Sequence, residues 1–460
     1  MTTPLVADAI AHYDELLSGR FEPASWWPEH RDTVLRHWVE EAPMSAFVLR
    51  PRMVDEATYA SVKASVALVL RGVMIATDRL ATDESLRRAI KIPAYLEPLL
   101  ELDRTIGKPS ILGRIDGHMA NDGCVKFIEF NAQPLSAAFQ YELERSFARL
   151  PISSEFEKRF RVRSVDLYER LHSALNARSR DGRTPCTAIV DKALWRSPRR
   201  ASHFRPLMYC SARGAPVLYV DPEELDYRNG KLTANGIQVD VIAFPNWDLL
   251  INARKRLVKI LKAVADGAVD VFGGVSRGLL ASYKATFELL SSPEHRELFP
   301  PEVNEALARH IPWTRVLGER KTSLGGTEVD LLPFVAAHRE QLVIKPAGGS
   351  GGQNIHIGRD LTDDAWTQAI HKGVAQNWIV QALALPERQA FPAVRIASDG
   401  RGEVGTHELN CELTPYVWNG TQAEGVLSRV VAGSVISDLG DQPIGLANGV
   451  ETATWIIDRK

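Results

Sequence analysis

One segment, residues 113–132 (GRIDGHMANDGCVKFIEFNA), limits the possible folds more than any other part of the chain. Residues 121–123, Asn-Asp-Gly, are a strong tight-turn signal between two runs in which apolar residues alternate with polar ones. The segment therefore predicts a β-hairpin. Charged residues lie within both strands, and the register of the hairpin decides which of them meet.

The register follows if residues 122–123 form the turn. Asp116 then lies opposite Glu129, and Arg114 lies opposite Asn131. Because side chains alternate along a strand, all four would point to one face. A shift of one residue would divide the four residues between the two faces.

The same register predicts the apolar content of each face. Val125 and Phe127 would share the face of the polar residues, while Ile115, Ile128 and Phe130 would form the other. Both faces would then be partly apolar. We therefore expect strands that are buried on both sides.

Two carboxylates that face each other repel, and a buried charge without a partner is costly. We expect Asp116, Glu129 and the side-chain carbonyl of Asn131 to hold a divalent cation, and ligands that are all oxygen suit Mg²⁺. Arg114 would then face a phosphate or an acyl phosphate. The alternative is an ordinary ion-pair network on a surface hairpin.

A second segment, residues 342–358 (LVIKPAGGSGGQNIHIG), predicts two strands joined by a glycine-rich loop. Lys345 ends the first strand, and glycines let backbone N–H groups approach phosphate oxygens. A lysine before the loop excludes a P-loop, and a strand after it excludes a dinucleotide fingerprint. The segment predicts a loop over nucleotide phosphates, with a flexible hairpin connection as the alternative. The predicted loop contacts are Gly348, Gly349, Ser350, Gly351 and Gly352.

Three other patterns complete the organisation of the chain. Residues 378–383 (WIVQAL), which include Gln381, predict a buried strand. Its backbone would read an adenine edge, and a plain core strand is the alternative. Residues 279–292 predict one amphipathic helix that carries Lys284. Residues 407–412 (HELNCE) lack the spacing of a zinc site and are interpreted as a polar strand and loop. A basic cluster within residues 196–205 is interpreted as a solvated loop, with a receptor for an acidic substrate or a second carboxylate as the alternative.

Composition sets the class of protein. The chain has 460 residues and a mass of 51.0 kDa, which suggests about three domains. Lys and Arg number 55 against 57 Asp and Glu, so no overall charge favours nucleic acid or an anionic membrane as a partner. Four scattered cysteines fit a reducing cytosol, and we identify no signal peptide or membrane span. Mixed helix and strand patterns predict an α/β or α+β fold.

The two motif segments resemble the ATP-grasp superfamily. More narrowly, they are similar to its circularly permuted branch of glutathionylspermidine synthase-like ligases, in which the metal-binding strands precede the glycine-rich loop. Arg114-Ile115-Asp116 and Glu129-Phe130-Asn131-Ala132 match the R-x-D and E-(F/Y)-N-A pattern of that branch. Residues 343–354 match its lysine and loop, although Gly351 stands where the ligases often carry glutamate.

This resemblance implies a fold in four parts. They are a helical N-terminal region (1–109), the metal-binding strands of the ATP-grasp core (110–160), a small open α/β substrate domain (161–275) and a nucleotide-binding region with a glycine-rich lid (276–460).

The resemblance also implies an activity, that of a carboxylate–amine ligase that forms an amide or peptide bond. ATP and Mg²⁺ would be its cofactors, an acyl phosphate its intermediate, and ADP and phosphate its products. The substrates would be small carboxylates and amines such as amino acids, peptides or polyamines, and the location would be cytoplasmic. A phosphotransferase and a non-catalytic nucleotide-binding protein are the alternatives.

Site residues follow from the same resemblance. Arg114, Lys345 and Arg429 are expected to be catalytic. Lys284, Lys345, Gln381 and the loop residues would bind the nucleotide, with Lys321 as the alternative to Lys284. Asp116, Glu129 and Asn131 would bind the metal.

Overall fold

The computed structural model describes most of the chain. The described residues are 2–37, 44–100, 102, 112–120, 123–132, 137–179, 182–191, 208–244, 248–349, 352–397, 401–420, 422–433, 445–447 and 449–460.

Helices occur throughout the described chain. The α-helices are α1 (Pro4–Ser18), α2 (Trp27–His37), α3 (Glu56–Thr82), α4 (Glu84–Ala89), α5 (Glu97–Leu100), α6 (Ala137–Ala148), α7 (Pro151–Phe156), α8 (Leu167–Asn176), α9 (Asp248–Asn252), α10 (Val258–Ala265), α11 (Ser276–Ser282), α12 (Thr286–Ser291), α13 (Pro301–His310), α14 (Leu331–Ala337) and α15 (Asp363–Ala375).

The strands group into several sheets. They are β1 (Ala46–Val48), β2 (Arg52–Asp55), β3 (Gly113–Met119), β4 (Val125–Ala132), β5 (Phe160–Arg163), β6 (Thr187–Val190), β7 (Val217–Val220), β8 (Leu225–Arg228), β9 (Lys231–Ala234), β10 (Ile237–Val239), β11 (Val241–Ala243), β12 (Asp270–Val271), β13 (Thr314–Val316), β14 (Lys321–Leu324), β15 (Thr327–Asp330), β16 (Leu342–Lys345), β17 (His356–Ile357), β18 (Ile379–Ala382), β19 (Arg388–Ile396), β20 (Gly402–Trp418), β21 (Gln422–Val431), β22 (Val450–Thr452) and β23 (Thr454–Arg459). The mixture confirms the predicted α/β class.

The largest sheet is antiparallel and contains the predicted hairpin. Its strand order is β1-β19-β20-β21-β22, with β3 paired to β20 and β4 paired to β3. The long strand β20 pairs first with β19 and then, from Glu412 onward, with β3. The hairpin of β3 and β4 is therefore held in place by a strand far away in the sequence.

A second antiparallel sheet, of order β13-β18-β16-β17, carries the glycine-rich loop between β16 and β17. The predicted strands at residues 342–345 and 378–383 are confirmed as neighbours in it. The rows of buried apolar side chains on this sheet pack against helices α14 and α15. This sheet lies beside the large one, as the contacts of Lys345 described below show.

The middle of the chain forms a parallel sheet of order β12-β11-β6-β7. Its buried, apolar strands confirm the open α/β pattern predicted there. The meander β8-β9-β10 and the hairpin β14-β15 form two smaller sheets. The basic cluster within residues 196–205 lies outside the described residues.

The N-terminal region is mainly helical where it is described, as expected. Its strands β1 and β2, however, pair with β19 and β23 from the other end of the chain, so these residues belong to the same sheets as the C-terminal segment. The four domain boundaries stay predictions.

Helix α3 is long and apolar enough to cross a membrane by length and composition alone. Its side chains Val66, Val69 and Val73 are buried in the protein interior, as in the core helix of a globular protein. The cytoplasmic location stays a prediction.

Candidate active site

The hairpin has the predicted register around its charged residues. Arg114 lies opposite Asn131, and Asp116 lies opposite Glu129. These four side chains therefore share one region of the large sheet, as the alternation of side chains requires. Gly123 has the left-handed backbone (φ 78°) that a tight turn requires, while Asn121 and Asp122 lie outside the described residues.

The faces of β4 differ from the prediction because the ladder contains a bulge. Gly117 pairs with Phe127, so Ile128 is an extra residue after Asp116. A Cβ at Gly117 would lie 2.8 Å from Phe127 Cδ1 and 3.0 Å from Val125 Cγ1. Val125 and Phe127 thus lie on the apolar face with Ile115, and the prediction that they share the polar face is wrong.

The bulge has a consequence for the site. The backbone oxygen of Ile128 accepts hydrogen bonds from Lys345 Nζ at 3.1 Å and from Gln381 Nε2 at 3.4 Å. A bulge leaves a residue unpaired in its ladder, which makes this carbonyl available. Lys345 and Gln381 lie on neighbouring strands of the second sheet, so the bulge joins the two sheets.

Asp116 is more enclosed than Glu129, with 4% of its surface exposed. Arg114 Nε lies 3.0 Å from Oδ1, and Arg429 Nη2 lies 3.0 Å from Oδ2. Both oxygens are therefore bonded to cations. These charge-assisted hydrogen bonds offset the desolvation free energy of the buried Asp116 carboxylate.

Glu129 is neutralised in the same way by a lysine. Lys284 Nζ lies 3.2 Å from Oε2, and Asn131 Nδ2 donates to Oε1 at 3.1 Å. Burial opposes ionisation of Glu129, but the charges of Lys284 and Lys345 outweigh it and lower the pKa of the carboxyl to about 2. The two ammonium groups therefore favour the ionised form of Glu129.

Lys284 reaches this position because its helix is broken. The continuous helix predicted over residues 279–292 is wrong: α11 ends at Ser282, Tyr283 is extended, and α12 starts at Thr286. The Lys284 backbone N–H donates to Ala347 O at 2.7 Å, and its Nζ donates to Gly349 O at 2.9 Å. At Lys284, hydrogen bonds to residues 347 and 349, which are distant in the sequence, thus replace those of a continuous helix.

Lys345 is buried at the end of β16, with 3% of its surface exposed. Burial lowers the pKa of its ammonium group to about 8, and the nearby Glu129 carboxylate offsets this only in part. Within the described part of the chain, Lys345 Nζ donates only to the neutral carbonyl of Ile128. The lysine therefore retains donors for an anionic ligand.

The glycine-rich loop begins directly after Lys345. Gly349 and Gly352 have left-handed backbones (φ 93° and 69°) that favour glycine. Gly348 lies against the ring of Tyr283, where a Cβ would be 3.5 Å from the nearest ring carbon. Ser350 and Gly351 lie outside the described residues, so their predicted phosphate contacts stay predictions.

Gln381 is buried in β18, where its Nε2 also donates to Thr314 Oγ1 at 2.8 Å. The structure brings it next to Lys345 through their common acceptor, the Ile128 carbonyl. Lys321, the alternative second lysine, is exposed on β14 and pairs with Glu328 at 2.8 Å. The geometry therefore favours Lys284 as the lysine of the site.

Glu412 and His118 also belong to the cluster, although the sequence motifs did not indicate them. Glu412 pairs in register with Arg429 on one side and His118 on the other. Its Oε2 lies 2.9 Å from Arg429 Nε, and its Oε1 lies 3.6 Å from His118 Nε2. Burial opposes its ionisation, but Arg429 outweighs burial and lowers the Glu412 pKa to about 2.

The interpretation of residues 407–412 as a polar strand and loop is thus wrong in part, because the whole segment lies within β20. A signal was present in the sequence: Glu412 is a charged residue that begins a run of otherwise uncharged strand residues. Arg429, which the resemblance proposes as a catalytic residue, lies between Asp116 and Glu412, and its catalytic role stays a prediction. Those two carboxylates raise its pKa even though burial acts in the opposite direction.

Charges of both signs are balanced in the cluster. Four cationic side chains, Arg114, Lys284, Lys345 and Arg429, are set against four carboxylates, Asp116, Glu129, Glu412 and Glu451, the last of which lies opposite Arg429 on β22. In the described ranges, no group of three or more His, Cys, Asp or Glu residues is arranged to hold a metal ion. Buried lysine and arginine side chains are the donors that an anionic ligand such as phosphate requires.

Comparisons with known proteins bear on the fold. The sequence matches no family model and no curated protein. Among solved structures, the chain is similar to a glutathione synthetase-like effector from Globodera pallida, with a TM-score of 0.55, 13% identity and coverage of 95% of this chain and 98% of that chain. A putative gamma-glutamylcysteine synthetase from Methylobacillus flagellatus matches with a TM-score of 0.41, 11% identity and 85% coverage of each chain. The first likeness shows that this chain and the effector share a fold over almost their whole lengths.

Proposed function

We propose that the protein is an ATP-dependent carboxylate–amine ligase. ATP would phosphorylate a substrate carboxylate, an amine would attack the acyl phosphate, and an amide, ADP and phosphate would be released. The observation that carries this proposal is the meeting of Asp116 and Glu129, in register on one hairpin, with Lys284 and Lys345 from two other elements. The shared fold with a glutathione synthetase-like protein supports it.

The cations have separate tasks in this proposal. Lys345 and Lys284 approach from the side of the glycine-rich loop and would bind the terminal phosphates of ATP. Arg114 and Arg429 bond to the two oxygens of Asp116 and would stabilise charge on the transferred phosphoryl group and the substrate carboxylate. Phosphoryl transfer requires such positioned charges more than a covalent group on the protein.

None of the clustered side chains is a serine or cysteine nucleophile. This suits a reaction in which the two substrates attack each other in turn, since no covalent enzyme intermediate is then needed. The amine would require only a free path to the acyl phosphate and exclusion of water.

Asp116, Glu129 and Asn131 would hold Mg²⁺, because together they offer the hard oxygen ligands that this ion prefers. The supporting observation is that the two carboxylates lie opposite each other in register, with Asn131 beside Glu129. Their oxygens bond Arg429 and Lys284 in this structure, and the ion would take the place of those contacts. The Asn131 amide nitrogen bonds Glu129, and its oxygen is the atom proposed for the ion. When bound, the ion would neutralise the terminal phosphates of ATP.

The loop from Gly348 to Gly352 would close over the phosphates and protect the acyl phosphate from water. Strand β18 with Gln381 would lie at the adenine. The order of the motifs, metal strands before loop, supports membership of the circularly permuted ATP-grasp branch. Within that branch, amino acids, peptides or polyamines are the proposed substrates.

The test is a screen of amino acids, peptides and polyamines in pairs, with ATP and Mg²⁺, read by mass spectrometry. The expected product has the summed mass of a carboxylate and an amine minus one water, and ADP appears only when both are supplied. A phosphorylated product formed without an amine would favour a phosphotransferase instead.

A further inference from the structure

A cavity of about 40 Å³ lies on the face of the large sheet opposite the candidate active site. Met119 of β3 and Cys411 and Leu413 of β20 line it. Because side chains alternate along a strand, their neighbours His118 and Glu412 point to the candidate site instead. The cavity and the site are therefore separated by the thickness of one sheet.

The cavity contains a buried arginine, Arg52, with 6% of its surface exposed. The one hydrogen bond of its guanidinium group within the described chain runs from Nη1 to Glu412 O at 2.6 Å. No carboxylate of the described residues lies within the 4.0 Å of an ion pair with Arg52. A buried cation without a counter-ion is costly, so the remaining guanidinium nitrogens would be stabilised by an anion in the cavity.

Two carboxylates lie on the same walls. Asp55 accepts hydrogen bonds from Thr58 N at 2.7 Å and from the Thr3 hydroxyl, and Glu387 accepts from the Thr2 hydroxyl at 3.2 Å. Neither is an ion-pair partner of Arg52. Their negative charge disfavours an anion of multiple charge, such as phosphate, and favours a ligand that also has a cationic group.

Opposite charges share the wall of this cavity. Arg52, Glu387 and Cys411 all line it. A small molecule in the cavity would therefore meet a cation and an anion of the protein together.

We propose that this cavity binds a small α-amino acid, with its carboxylate on Arg52 and its ammonium group toward Glu387. A guanidinium offers a carboxylate two parallel N–H donors. The volume is a few times the 10–15 Å³ or so that a single water needs, which suits a ligand the size of glycine. The site is separate from the proposed ligase chemistry, because it lies on the other face of β20.

The test is calorimetric titration of the full chain with glycine, acetate and methylammonium. Glycine is expected to bind, acetate to bind about tenfold more weakly for lack of the ammonium contact, and methylammonium not at all. Absence of glycine binding, or acetate binding as tightly as glycine, would overturn the proposal.

Variants locate the ligand. Arg52→Gln is expected to weaken glycine binding by about thirtyfold, the loss of a charged bidentate contact, while Arg114→Gln, in the candidate active site, leaves it unchanged. The reverse pattern would place glycine in the active site and refute the cavity without touching the ligase proposal.

Two further variants guard against a fold lost in Arg52→Gln. Arg52→Lys keeps the charge but not the paired donors and should bind glycine about tenfold more weakly. Cys411→Met fills the cavity and should abolish binding. Wild-type affinity in both variants would contradict the proposal.

Discussion

The ammonium group of Lys284 lies 3.2 Å from Glu129 Oε2 and donates to Gly349 O at 2.9 Å. One side chain thus connects the hairpin that carries the proposed metal ligands to the loop that would cover the phosphates. Substrate phosphates would compete for this ammonium group, since it bonds to both elements.

Replacing Lys284 with methionine should weaken ATP binding. A hydrogen bond to a charged group contributes about 1.5–3 kcal/mol, so we expect roughly a tenfold to hundredfold loss of affinity in calorimetry. Lys321→Met is the matched control, because Lys321 is an exposed lysine on β14. Equal affinities for the two variants would remove Lys284 from the nucleotide site.

Lys345 predicts a pH dependence of ATP binding. Burial lowers its pKa to about 8 from an ordinary value of 10.5, so the amine loses its proton as the pH rises through 8. Phosphates bind the protonated form, and ATP affinity should therefore fall between pH 7 and pH 9. Lys345→Ala should weaken binding at every pH.

The control for this prediction is Lys345→Arg, whose guanidinium stays charged over the whole range. Its ATP affinity should change little from pH 7 to pH 9 in the same titrations. A wild-type profile as flat as that of the arginine variant would show that Lys345 does not titrate in contact with ATP.

Substitution of Glu412 tests the buried ion pair with Arg429, which the sequence motifs did not indicate. Glu412→Gln leaves Arg429 with one carboxylate fewer, and breaking a buried ion pair costs about 3–5 kcal/mol. We expect a loss of that order in the free energy of unfolding measured with urea. Glu403→Gln, an exposed change on the same strand, should stay within about 0.5 kcal/mol of wild type; a similar value for Glu412→Gln would contradict the buried network.

Glu144 predicts how stability depends on pH. Burial raises its pKa from 4.5 to about 8, so the folded state keeps a proton that the unfolded state has lost between these values. The free energy of unfolding should therefore fall as the pH rises from 4.5 to 8, by up to about 1.4 kcal/mol per unit. Glu144→Gln should remove this dependence.

Exposed Glu305 on α13 provides the comparison. Glu305→Gln should retain the wild-type slope of stability against pH, while Glu144→Gln flattens it. If the free energy of unfolding depends on pH with the same slope in wild type and in Glu144→Gln, Glu144 is not the group that causes the dependence.

Local chemistry made the hairpin predictable. A turn signal and the alternation of side chains are enough to place Asp116 opposite Glu129. The bulge at Ile128 was not predictable, because its carbonyl is drawn to Lys345 and Gln381 from another sheet. The local pattern therefore predicts which charged residues pair, but it does not predict the face of the sheet on which Phe127 lies.

Long-range contacts explain the other differences. The periodicity of residues 279–292 favours one helix, yet the chain opens at Lys284 because Ala347 accepts its backbone N–H. Glu412 joins the cluster only because β20 pairs with β3. Such pairings involve residues too distant in sequence for propensity or spacing to indicate them.

The most direct test of the ligase proposal is ADP release by Glu129→Ala, assayed with a substrate pair that supports turnover in the wild type. Glu408→Ala, which removes an exposed carboxylate from the same sheet, is the control, and circular dichroism confirms the fold of both. We predict that Glu129→Ala forms no ADP above background while Glu408→Ala retains wild-type rates. Turnover by a folded Glu129→Ala protein at the wild-type rate would contradict the assignment of Glu129 to the catalytic centre.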